Sequence, residues 1–184
     1  MGLDAGAMTP SMFCFRGRER IQGLFESVSG ARMMHNYFPD RGLKEDVPDD
    51  FVKQVREVLD LVKQDTEESD KLLSFNEIFL ARLKNIAVMS AEDAVDYGLT
   101  GPCLRASGVD YDVRKAAPYS VYDRFAFDVP VGLDGDCWDR YYLRVQEVYQ
   151  SIRIIEQALE QLPEGDVLSS LGGDCFGRRP ARFT

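Results

Sequence analysis

The 184 residues carry 22 Lys and Arg against 31 Asp and Glu, a formal net charge of −9, with 45% hydrophobic and 29% charged residues. That balance suits one folded domain with a sizeable core and not a disordered chain. The negative sign argues against nucleic acid and anionic lipid surfaces as partners, because both need a basic face.

The first helix is predicted after Thr9-Pro10, with Thr9 as cap and Pro10 in the first turn. Ile21, Leu24, Phe25 and Val28 fall on one face, and Gly30 can end it. A turn-rich connection follows over Asn36–Gly42. A second helix should start near Asp49-Asp50, with an apolar stripe of Val52, Val55, Val58, Leu59 and Val62. The acidic run Asp65–Asp70 reads as a solvated helix end or a loop. A short helix from Asn76 should turn Ile78, Phe79 and Leu83 inward. Ser90-Ala91-Glu92-Asp93 is a capping-box pattern that opens another short helix, ended by Gly98.

Residues 99–134 lose helical periodicity. Phe125–Val129 could form a short strand. Arg105–Lys115 mixes charges of both signs with small residues; it either braces itself by ion pairs or docks onto a partner. The clearest element begins at Trp138, where apolar residues keep a spacing of three and four as far as Leu162, before Pro163 and Gly165. Asp134 or Asp136 is expected to cap it, with Asp136 pairing to Arg140. The division is therefore a helical core over 1–165 and an extended tail over 166–184. The fold class is mainly α, a helical bundle with minor β.

Few residues suggest chemistry. The single histidine, His35, has no nucleophile at a telling spacing, and no glycine-rich nucleotide loop occurs. Cys14, Cys103, Cys137 and Cys175 contain no CxxC pair, which argues against a disulfide framework and a structural zinc site. Asp134, Asp136 and Asp139 lack the rest of a calcium loop. No apolar run approaches the roughly 18 residues that span a bilayer. Met1–Gly6 has neither a basic signal region nor an Arg-rich presequence, so the expectation is a chain that stays where it is made or has lost its targeting segment. Taken alone, Asp4 reads as a solvated acid and His35 as a hydrogen-bonding or surface residue.

Several ordered blocks carry a resemblance. They include Leu3-Asp4-Ala5-Gly6-Ala7-Met8-Thr9-Pro10, Arg18-Glu19-Arg20, Val28-Ser29-Gly30-Ala31-Arg32-Met33, Tyr97-Gly98-Leu99-Thr100-Gly101-Pro102 and Leu104–Val109. Asp112-Val113-Arg114-Lys115, Pro118–Phe125, Phe127–Gly132, Gly135–Tyr141 and Ser151–Leu159 complete the series. From residue 3 to about 165 the sequence resembles the 49-kDa subunit of respiratory complex I, the proton-translocating NADH:quinone oxidoreductase. That family is related to the large subunit of nickel–iron hydrogenases, so the fold implied is the helical core of a subunit of that type. A hydrogenase itself is disfavoured, because both CxxC pairs of nickel ligands are lacking.

The resemblance implies a peripheral-arm subunit that helps form the ubiquinone-reduction site beside the terminal 4Fe-4S cluster. This chain would bind no cofactor; quinone is the substrate and a partner holds the cluster. Such a subunit is not expected to be active alone. Its implied partners are the iron–sulfur small subunit, a 30-kDa-type subunit and the membrane-arm quinone-channel subunit. The family's HP…HG signature, with its quinone-site His and Tyr, is absent, as is the C-terminal β-rich end. The expectation is a split or truncated subunit, with a second chain supplying the missing N-terminal part. The place implied is the matrix side of the mitochondrial inner membrane, or the cytoplasmic side of a bacterial plasma membrane. The alternative is a structural fragment that braces the arm without quinone chemistry.

Residue by residue, Asp4 matches the family aspartate that hydrogen-bonds the quinone-site His, so it is the catalytic candidate. Met8, Ser11 and Met12 are the other implied quinone-pocket residues, although the family usually has aromatic residues where Ser11 and Met12 stand. Met34 and His35 are implied to lie near the cluster; the family His falls where Met34 is. Pro39-Asp40-Arg41-Gly42 replaces the family's Arg-Pro-Gly-Gly turn.

Overall fold

A computed structural model describes residues 2–39 and 42–167 of the chain. It is mainly helical: α1 (Met8–Ser29), α2 (Phe51–Leu73), α3 (Glu77–Leu83), α4 (Ala91–Asp96), α5 (Gly101–Ala106), α6 (Val113–Ala116), a 3-10 turn (Tyr122–Arg124) and α7 (Cys137–Glu160). The tail expected over 166–184 lies, beyond Val167, outside the described residues. Among the described residues, no helix is long and apolar enough to cross a membrane.

The long helices organise the molecule. α2 packs along α1 and also against α7. Their shared core is Val55, Leu59 and Ile152, flanked by Leu24, Phe51, Val62, Val148 and Leu159. Leu24, Val55, Leu59, Val62, Val148, Ile152 and Leu159 belong to the apolar stripes that the spacing of three and four predicts; Phe51 joins them from the start of α2, and Phe25 stays 47% exposed. α1 starts one residue before Thr9: Ala7 is the N-cap, with no side-chain cap, and Pro10 is buried within the helix. Its end is as expected, with Gly30 at φ 76° donating its N–H to Glu26 O at 2.8 Å.

The acidic run does not end α2. Asp65 and Ser69 are buried inside the helix, which continues to Leu73. The reason lies on α1: Arg16 Nε donates to Asp65 Oδ1 at 2.9 Å, and Gly17 leaves room for that carboxylate. A Cβ at Gly17 would stand 3.2 Å from Asp65 Oδ2.

α3 is capped by Asn76, whose Oδ1 accepts from Ile78 N and Phe79 N. Phe79 is buried edge-on against Tyr141, but Ile78 is 65% exposed and only part of Leu83 is covered. So short a helix has room for one inward face, and Phe79 occupies it. Ser90 caps α4 through Asp93 N at 3.0 Å, as the capping box predicts.

Phe125–Val129 is extended without being a strand. Side chains of α7 supply its hydrogen bonds. Gln157 bonds both the N–H and the C=O of Ala126, and Gln150 Oε1 accepts from Asp128 N at 3.0 Å. Asp136 caps α7, accepting from Asp139 N and also from Asn85 N at 2.9 Å. Arg140 does not pair with it; the guanidinium donates to the carbonyls of Gly135 and Ala87.

The mixed-charge segment braces itself. Arg105 is buried, donates to Tyr111 O at 3.2 Å, lies 3.5 Å from Asp112 and meets the Glu147 carboxylate of α7. Arg114 grips Asp112 through Nε and Nη2, and its backbone N–H also donates to that carboxylate. The Arg114 hydrogen bonds hold Asp112 below the ordinary carboxylate range, against the opposing effect of burial. A carboxylate depressed by folding contributes stability that is present above its unfolded value of about 3.9 and is lost as pH falls through the lower folded value. Asp112→Asn should therefore flatten the acid limb of the stability–pH curve below about pH 4, read by chemical denaturation at several pH values. An acid limb unchanged by the substitution would contradict this.

Candidate functional site

The residues implied by the resemblance separate into two places at opposite ends of α1. Asp4 sits on a turn before the helix, closed by Gly6 N donating to Leu3 O at 2.9 Å and Ala7 N donating to Gly2 O at 2.8 Å. Gly6 takes φ 87°, a left-handed conformation that glycine adopts without strain. The turn leaves Asp4 on the surface. With Ala5 it shares a recess of about 340 Å³ with Arg82 and Leu83 of α3. The recess is thus lined by one carboxylate-bearing and one guanidinium-bearing residue.

Met8 and Met12 lie one helical turn apart beside this turn, 61% and 47% exposed, and Phe15 continues the stripe at 56%. Ser11 is half-buried, and its Oγ lies 3.4 Å from where a Cβ on Gly2 would stand. Met8, Ser11 and Met12 therefore occupy the first turns of α1, directly after the turn that carries Asp4. Ile78 and Arg82 are one turn apart on α3, so the exposed Ile78 shares the Arg82 face. Exposed apolar side chains thus stand on the first turns of α1 and on α3, whose Arg82 and Leu83 share the recess with Asp4. Exposed apolar side chains gathered into a patch commonly mark a surface that meets a ligand or a partner. Adaptable Met side chains suit an apolar ligand of irregular shape.

Met34 and His35 are elsewhere. α1 rises about 1.5 Å per residue, so its ends stand roughly 30 Å apart. Met34 is 89% exposed with φ 56°. His35 Nδ1 lies 3.0 Å from Ala31 O, and the ring stacks at a tilt on Phe25 with centroids 4.7 Å apart. In this setting the imidazole braces the exit from α1. Lys44 Nζ donates to Ser29 O at 3.0 Å in the same corner.

Arg82, Phe15 and Ile78 are the residues of this surface that the sequence motifs leave out. Met8, Met12 and Phe15 do form a stripe at spacings of four and three, distinct from the core stripe that begins at Ile21, so the sequence holds a signal for Phe15. For Arg82 it holds none, because the place of that residue depends on how α3 docks. Among the described residues, no group of three or more His, Cys, Asp or Glu could hold a metal ion.

Comparison with known proteins supplies the context. The family model of the respiratory-chain NADH dehydrogenase 49 kDa subunit matches residues 4–174. The D-type subunit of the NADH-quinone oxidoreductase of Desulforamulus reducens is 48% identical over 168 residues, 91% of this chain and 46% of that protein. Its counterparts in Bacillus mycoides and Geotalea uraniireducens are each 48% identical, over 92% and 95% of this chain and 46% and 45% of their own lengths. The chain spans about half the length of the curated relatives it matches.

Proposed function

Because the chain belongs to the family of the respiratory-chain NADH dehydrogenase 49 kDa subunit, we propose that it serves as a peripheral-arm subunit of an NADH:quinone oxidoreductase and forms part of the quinone-reduction site. The observation that carries this reading is the surface at the start of α1. Asp4 stands exposed on the turn that leads into α1, and Met8 and Met12 are exposed in the first turns of that helix, with Ser11 half-buried. An apolar wall receives the quinone; the carboxylate serves the proton side of the reaction. Electrons would come from an iron–sulfur cluster held by a partner subunit, so this chain need supply no redox group.

Asp4 acts through a histidine supplied from outside these 184 residues. A carboxylate in hydrogen-bond reach favours the imidazolium form, and that imidazolium can donate a proton to reduced quinone. Quinone reduction is the activity of the whole assembly. The assembly would include the iron–sulfur small subunit, a 30-kDa-type subunit, the membrane-arm quinone-channel subunit and the segment carrying the histidine. That segment lies either on a companion chain or on a continuation of this one. Its place is the inner face of an energy-converting membrane: the matrix side of a mitochondrion, or the cytoplasmic side of a bacterium, which the bacterial relatives favour.

Asp4→Asn keeps the shape of the turn and removes the charge. In the intact complex it should lower inhibitor-sensitive quinone reduction by about a hundredfold, the lower end of the range of acid–base catalysis. Electron transfer from NADH to ferricyanide should be unchanged. Quinone reduction equal to wild type at every pH would leave the chain a brace of the arm without quinone chemistry.

A further inference from the structure

The end of α2 carries a polar network that the quinone reading does not use. Ser74, the C-cap of α2, is fully buried. Its hydroxyl donates to the Asp70 carboxylate one turn earlier and lies 3.1 Å from the Tyr141 hydroxyl of α7. A serine hydroxyl has a single hydrogen. Asp70 takes it, so Tyr141 donates the second bond, and phenol, hydroxyl and carboxylate form one chain with one donor sense. Asp70 is half-buried and gives the chain an end that water reaches. The backbone of Ser74 is held without this hydroxyl. Its N–H donates to Asp70 O at 3.0 Å, and its carbonyl accepts from Trp138 Nε1 at 2.9 Å. A buried hydroxyl that its own residue does not need for anchoring, set between two titratable groups, has the chemistry of a proton relay.

The chain runs to the start of α1. A Cβ on Gly2 would stand 3.4 Å from both Leu73 Cδ1 and Ser11 Oγ, so the residue before Ser74 lies against the turn that carries Asp4. The Tyr141 phenol is within electrostatic reach of Cys14, which follows Ser11 by one turn of α1. Burial pushes this phenol above its ordinary value; Asp70, Cys14 and Tyr142 add to the rise and the Ser74 hydrogen bond opposes it. The phenol therefore keeps its proton at neutral pH, and it can accept one while passing on its own.

We propose that Asp70, Ser74 and Tyr141 relay protons from solvent to the quinone-reduction site. The inference rests on the quinone reading and deepens it. Reduction of a quinone to a quinol places a proton on each oxygen; the imidazolium beside Asp4 serves one, and the relay supplies the other. In each pass the Asp70 carboxyl, protonated from water, gives its proton to Ser74 Oγ. The Ser74 proton moves to Tyr141 Oη, and the phenolic proton leaves for the quinolate oxygen or for a water bonded to it. Only O–H bonds break and form, no electron moves along the chain, and both hydroxyls end neutral. Rotation of the hydroxyls and uptake of a proton by Asp70 restore the start. The span is two hydrogen bonds, about 5–6 Å.

The test uses the assembled complex isolated from membranes and measures inhibitor-sensitive quinone reduction in water and in deuterium oxide. Tyr141→Phe removes only the phenolic oxygen. Asp70→Asn leaves Ser74 an acceptor, so the network can keep its shape, but the amide releases no proton. Each should lower quinone reduction by about a hundredfold, the lower end for a positioned proton transfer. The solvent isotope effect should rise, because proton delivery becomes limiting. Recovery of the complex and NADH–ferricyanide activity should match wild type. Tyr149→Phe is the control: its phenol also feels the charge of Asp70, yet it stands outside the chain, so turnover and isotope effect should not change. Wild-type turnover in Tyr141→Phe or in Asp70→Asn would overturn the proposal. So would a loss with an unchanged isotope effect, or one matched by a fall in recovery or in ferricyanide activity, since either marks a structural role. Failure here with Asp4→Asn still impaired strikes the relay alone. Impairment here with Asp4→Asn at wild-type turnover strikes the role of Asp4 and leaves the relay.

Discussion

Alanine in place of Gly135 is expected to destabilise the protein by more than about 3 kcal/mol. Gly135 joins two parts of the fold at once. Its N–H donates to Ala106 O at 3.0 Å, and its carbonyl accepts from Met89 N at 3.0 Å. A Cβ there would stand 2.3 Å from Met89 O, inside any tolerable contact and against backbone that cannot swing away. The residue also sits at φ 65°, a left-handed conformation that costs a non-glycine residue about 1–2 kcal/mol by itself. At about 3 kcal/mol the melting temperature should fall by roughly 6–12 °C for a chain of this size. Gly23→Ala is the control. Nothing lies within 4 Å of its added Cβ, and the residue lies inside α1, so it should gain about 0.5–1 kcal/mol. Equal melting temperatures for the two variants would contradict the packing of Gly135 against Met89.

The second large effect is expected at Arg105. Its side chain is 5% exposed and answers Asp112, itself 4% exposed, and Glu147, 21% exposed. Arg105→Met keeps much of the stem but removes the charge. Asp112 retains Arg114, whereas Glu147 loses the only cation that the described residues place against it. Breaking one side of a buried ion pair costs about 3–5 kcal/mol, chiefly because the remaining charge stays desolvated. The double variant Arg105→Met with Glu147→Gln should therefore recover a measurable part of the loss, and a double-mutant cycle by urea denaturation reads that coupling. Strict additivity would mean that Glu147 is solvated and the pair contributes nothing.

Both residues act through contacts between elements, which is where sequence patterns run out. The long helices are legible because their apolar residues recur at three and four, and the caps at Asn76, Ser90 and Asp136 follow from short side chains that accept backbone N–H bonds. The α2 acidic run is not legible as helix interior. Composition assigns Asp65 to water, and only Arg16 and Gly17 on another helix make its burial tolerable. Phe125–Val129 has the residue types of a strand, but its hydrogen bonds go to Gln150 and Gln157, whose positions depend on how α7 docks. Ile78 is apolar and so is expected inside. A helix of seven residues has one buried face, and Phe79 takes it.

At the candidate site the nearness of Asp4, Met8, Ser11 and Met12 along the chain is legible, since they lie on one turn and the start of the helix that follows. Arg82 is not, because its place in the recess with Asp4 depends on the docking of α3. Met34 and His35 can be compared with the family residue by residue, but their distance from Asp4 follows only from the straight run of α1.

The most direct measurement is purification of the intact complex through this chain from native membranes, with assay of inhibitor-sensitive NADH:quinone reductase activity and mass spectrometry of what accompanies it. The account predicts an active complex containing iron–sulfur subunits and the remaining part of the 49-kDa-type subunit. A chain recovered alone, or in a complex that reduces ferricyanide but not quinone, would contradict it.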